Sequence, residues 1–71
     1  MIDKTQQTEK PFKIGELVVF YGARAEGLFI VLELLWNPGL HAWVIAVLSQ
    51  RTGIKERTSA INLDPAEWMN D

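Results

Sequence analysis

The chain has 71 residues, 48% of them hydrophobic, with 7 Lys+Arg against 9 Asp+Glu, a formal net charge of -2, a single histidine and no cysteine. This composition excludes a disordered chain and a disulfide or thiolate-zinc scaffold, and it argues against a domain whose main task is to neutralise phosphates. A single domain of this size buries only a modest fraction of its surface, which leaves association with a partner or with itself as the source of additional burial.

Residues 1–11 are polar and have little to bury, and Pro11 biases Lys10 toward extended backbone, so they are expected to form an N-terminal arm. Ile2 and Phe12 are the anchors available there. No apolar run of signal-peptide type occurs in residues 1–12, and no apolar stretch reaches the ~20 residues a membrane helix needs, so the sequence reads as soluble. The absence of cysteine is compatible with a reducing cytoplasm.

After Gly15-Glu16 come five β-favouring residues, which predict a first strand over Leu17–Tyr21. Gly22 and Gly27 bound a loop, and a second strand follows from Leu28 to Trp36. Asn37-Pro38-Gly39-Leu40 fits a type II turn, with Gly39 supplying positive φ. It returns the chain into a third strand, Ala42–Leu48. At Arg51-Thr52-Gly53 the expectation is a type I turn with Gly53 left-handed, a geometry that leaves the facing of Lys55, Glu56 and Arg57 undetermined. Ile54–Thr58 reads as strand four, and Ser59–Leu63 as a tight turn delivering Ile61 and Leu63 to the core. Asp64 then reads as an N-cap with Pro65 at the first helical position and Glu67 three residues after the cap, placing a short helical segment at 64–71 with Trp68 as its apolar anchor.

These elements predict an all-β fold, a small antiparallel barrel of four to five strands over residues 12–63. Phe12-Lys-Ile-Gly-Glu-Leu-Val-Val, Gly27-Leu-Phe-Ile-Val-Leu-Glu, Trp43-Val, Gly53-Ile-Lys-Glu-Arg and Asn62-Leu63 resemble the pattern of Src-homology-3-like (SH3-like) small barrels, in particular the short barrel proteins of tailed phages, including those that infect cyanobacteria. The opening Gly15-Glu16-Leu17-Val18 is also similar to that of KOW-like barrels. Where those RNA binders carry lysines and arginines this chain has Val19, Phe29 and Val31. The phage resemblance implies a non-enzymatic structural protein, an auxiliary virion component located in the host cytoplasm or in the particle.

Strand two is the anomaly. Gly27–Trp36 is almost wholly apolar, with Glu33 its only charge, and so it does not alternate as a strand with one wet face does. With Leu28, Ile30, Leu32 and Leu34 facing inward, Phe29, Val31 and Leu35 form a second apolar stripe with the parity of Glu33. Likewise Val18 and Phe20 inward leaves Leu17, Val19 and Tyr21 outward. The expected partner-binding set is therefore Leu17, Val19, Tyr21, Phe29, Val31 and Leu35, extended by Trp68. The competing reading is that parity slips at a bulge and returns some of these residues to the core.

Catalysis has no residue set here: His41 stands alone beside a turn and the carboxylates are scattered, so no enzyme, metal site or cofactor is expected. The alternative function is nucleic-acid binding through Arg24, Arg51, Lys55 and Arg57, with Tyr21, Trp36 and Trp43 for stacking.

Overall fold

The computed structural model describes residues 9–66, which fold as five antiparallel strands and two single 3-10 turns. The strands are β1 (Leu17–Phe20), β2 (Phe29–Asn37), β3 (Ala42–Ser49), β4 (Lys55–Ser59) and β5 (Leu63–Pro65), and they form one sheet in the order β4-β3-β2-β1-β5. The small all-β, barrel-like fold expected from the strand and turn signals is the one observed. The sheet curls around a single core in which Val18, Phe29, Val31, Ile45, Val47 and Leu63 are joined by Phe12, with Phe20, Leu34 and Trp43 packed against them. Phe20 meets Phe29 edge to face at 4.9 Å, tying β1 to β2 across the core.

The ladder between β2 and β3 breaks once. Val31 pairs with Val47, and the next pair is Glu33 with Ala46, so Leu32 is an extra residue at a β-bulge. The bulge reverses the parity of β2: Phe29 and Val31 point inward before it, Leu34 after it. Phe29 and Val31 are thus core residues, 2% and 0% exposed, not members of an outer stripe. Glu33 explains why the irregularity sits here. Strict alternation from Val31 would drive its carboxylate into the core at a cost of several kcal/mol, and one inserted residue sends it to solvent instead.

Both hairpins differ in detail from their sequence signals. At the β2–β3 turn Leu40 N–H donates to the Asn37 carbonyl (3.2 Å) and His41 N–H to that of Pro38 (3.3 Å), and the left-handed residue is His41 at φ 56°. Gly39 does not take positive φ, so the turn is not type II. The Asn37 side-chain oxygen also accepts from Leu40 N–H at 3.0 Å, stabilising this wider loop. At the β3–β4 turn Gly53 is left-handed as expected, at φ 77°, but its N–H donates to the Ser49 carbonyl and the Ser49 N–H to that of Ile54, both at 2.9 Å, so the loop spans the four residues 50–53 and is not the expected type I turn at Arg51-Thr52 closed by a bulge. The buried Ser49 hydroxyl accepts from Arg51 N–H (3.2 Å) and Thr52 N–H (3.1 Å), which organises the tip.

The C-terminal expectations divide. Ala60–Asn62 forms a 3-10 turn capped by the Ser59 hydroxyl, which accepts from Ile61 N–H, and Leu63 enters the core. Ile61, by contrast, is 84% exposed. Asp64 and Pro65 do not start a helix: they continue β5, pairing with Val19 and Val18, so the barrel extends past residue 63. Pro65 is tolerated because β5 is an edge strand, which leaves its missing N–H without a ladder partner to satisfy. Glu67, Trp68 and the first eight residues of the arm lie outside the described residues.

Candidate functional site

The face of the sheet turned away from the core is built by the residues that alternate with the core set, and the strand registers give its layout in rows. Leu17, Ile30, Leu48 and Lys55 lie side by side across β1, β2, β3 and β4. The next row runs Glu33, Ala46, Arg57, with the bulged Leu32 beside Glu33. The third runs Leu35, Val44, Ser59. Leu17, Leu32 and Leu35 are 42%, 37% and 49% exposed, and Ile30, Val44 and Leu48 are half-buried among them. The result is a continuous apolar platform on β2 and β3, bordered by the two cations of edge strand β4 and interrupted by one carboxylate.

Of the expected partner-binding residues, Leu17 and Leu35 belong to this platform. Tyr21 is 75% exposed but lies past the end of β1. Val19 alternates with Val18 and Phe20, which pack in the core, and so lies on the other face of β1, yet it is fully buried and offers nothing to a partner. Phe29 and Val31 are removed by the bulge. Ile30, Leu32, Val44 and Leu48 take their place and were missed, although β3 carried the signal: Ala42, Val44, Ala46 and Leu48 are apolar on the parity opposite Trp43, Ile45 and Val47.

The four cations do not converge into one patch. Lys55 and Arg57 share the outer face of β4, while Arg24 lies in the 3-10 turn between β1 and β2. Arg51 lines a shallow depression of about 170 Å³ together with Glu26, Glu56, Thr52 and Ile54. Two carboxylates around one guanidinium make a poor cradle for phosphate.

The stacking candidates are also committed elsewhere. Trp36 packs edge to face on Trp43 (5.6 Å) and on His41 (5.5 Å), forming an aromatic cluster that closes the β2–β3 end of the barrel. Trp43 Nε1 is buried there without a hydrogen-bond acceptor among the described residues. Also among the described residues, no three His, Asp or Glu side chains are grouped so as to hold a metal ion, and no helix is long and apolar enough to cross a membrane. Comparison of the chain with protein-family models, with curated proteins and with solved structures gives no match.

Proposed function

We propose that the chain is a non-enzymatic assembly module that docks on protein through the outer face of β2 and β3. The observation that carries this reading is the platform of Leu17, Ile30, Leu32, Leu35, Val44 and Leu48, a contiguous apolar surface on a domain with little core to spare. Covering the exposed part of each leucine contributes on the order of 1 kcal/mol, and the cluster together outweighs any exposed ion pair, which typically contributes under about 1 kcal/mol. The resemblance of residues 12–63 to the small barrels of tailed phages supports the finer proposal, an auxiliary structural component of a virion, located in the host cytoplasm or in the particle.

The test pairs two measurements on the purified protein. Binding to single-stranded RNA and DNA is followed across a salt series, and solution mass is followed for the wild type and for Leu35→Lys. The docking reading expects self-association or capture of a defined protein partner that Leu35→Lys weakens, with no salt-dependent nucleic-acid binding. A monomer that binds nucleic acid steeply less well as salt rises, and loses that binding in Arg51→Ala or Lys55→Ala, overturns it.

A further inference from the structure

We infer that the occupant of the outer face is a second copy of the same chain, stacked face to face about a two-fold axis that runs parallel to β3 over Ala46. The inference rests on the docking reading above and adds the identity and orientation of the partner.

One row of the sheet sets the orientation. Ala46 pairs with Glu33 on one side and with Arg57 on the other, so an acid and a base stand at the same level along the strands, one strand to either side of β3. With strands about 4.8 Å apart, the two charges are separated by roughly 10 Å across the face. Stacking two such faces about an axis parallel to β3 exchanges the sides and preserves the level. Strand β4 of each copy then lies over β2 of the other, and Arg57 stands opposite the partner's Glu33, twice by symmetry. Sheets packed in this aligned manner lie about 10 Å apart with a modest twist between them, a gap that an arginine and a glutamate side chain span together.

The remaining rows agree. Ala46, only 7% exposed between its larger neighbours, faces the partner's Ala46 across the axis and puts no bulk in the way of the contacts around it. Val44 and Leu48 on β3 meet the partner's Val44 and Leu48 in the apolar centre. Ile30 lies beneath the methylene stem of the partner's Lys55, and Leu35 beneath the partner's Ser59. The other two-fold arrangement, with its axis across the strands, sets Arg57 against the partner's Arg57 and Glu33 against the partner's Glu33. The charge pattern therefore selects one orientation and penalises its rival.

Sedimentation equilibrium on the full chain and on three charge variants tests this. The wild type is expected to sediment as a dimer of the 8.1 kDa chain. Glu33→Arg and Arg57→Glu each create two like-charge contacts and are expected to weaken the dimer about a hundredfold. The double variant, Glu33→Arg with Arg57→Glu, restores opposite charges and is expected to recover the dimer to within about tenfold. Both side chains are exposed, and an unchanged circular dichroism spectrum of each variant below its melting transition shows that the fold is retained. A monomeric wild type, or a double variant as weak as the singles, overturns the proposal. An oligomer indifferent to all three charge variants yet dissolved by Val44→Lys overturns the two-fold arrangement and leaves docking through the face intact. Salt-sensitive nucleic-acid binding by a monomer overturns both.

Discussion

Glu33 and Arg57 both pair with Ala46, one from β2 and one from β4, and this shared neighbour holds an acid and a base on the otherwise apolar outer face of the sheet. Glu33 reaches that face only because Leu32 is bulged out of the ladder between Val31 and Glu33. One inserted residue thus decides which side chains of β2 build the core and which face away from it.

The adjacent residues Val31 and Leu32 should consequently respond in opposite ways to the same substitution. Val31 is fully buried, so Val31→Lys places an unpaired charge in the core and is expected to cost at least about 3 kcal/mol, enough to unfold much of so small a domain. Leu32 is 37% exposed at the bulge, and Leu32→Lys is expected to change monomer stability by no more than about 0.5 kcal/mol. Urea denaturation of the two variants checks this, and equal losses would contradict the bulge.

The turns carry a similar contrast. Gly53 adopts φ 77°, a region where a Cβ is strained, so Gly53→Ala is expected to cost about 1–2 kcal/mol. Gly39 has no positive φ, and an added Cβ would meet only the Asn37 side-chain oxygen at 3.3 Å. Gly39→Ala should therefore lie within about 0.5 kcal/mol of the wild type, the lower chain entropy of the unfolded state offsetting the tight contact. Thermal melts of the two variants separate these outcomes.

Ser49 is the polar residue on which the β3–β4 hairpin depends. Its hydroxyl accepts from the backbone N–H groups of Arg51 and Thr52, and Ser49→Ala leaves both without that acceptor. Solvent at the tip replaces part of the loss, so the expected cost is about 1–2 kcal/mol. Hydrogen exchange should show the Arg51 and Thr52 amides deprotected in the variant and the β1–β2 amides unchanged.

Much of this architecture was legible in the sequence because local chemistry dictated it. β-branched and aromatic runs gave the first four strands to within a residue or two, Gly53 gave its left-handed position, and the surplus of apolar residues implied that some of them face away from the core. What was not legible depended on tertiary context. Glu33 can be kept out of the core either by turning the whole odd-numbered set of β2 outward or by inserting a bulge, and only pairing with β3 decides. Asp64-Pro65-Ala66-Glu67 carries the local signature of a helix start, yet Asp64 and Pro65 are held in β5 by pairing with Val19 and Val18. At the β2–β3 turn Pro38-Gly39 suits several geometries, and the chain adopts the wider one, with His41 taking the left-handed position. Of the outward set expected from parity, Leu17, Tyr21 and Leu35 are exposed, whereas Val19, Phe29 and Val31 are buried.

Whether a second copy of the chain covers the platform on β2 and β3 is read from solution mass as a function of concentration, comparing the wild type with Val44→Lys. Val44 lies half-buried on β3 in the row of Leu35 and Ser59, on the face away from the core, so lysine there can reach solvent in the monomer while opposing burial of the face. The wild type is expected to self-associate as concentration rises and the Val44→Lys variant to remain a folded monomer. A wild type that stays at the monomer mass up to its solubility limit, or a Val44→Lys variant that associates equally well, would contradict it.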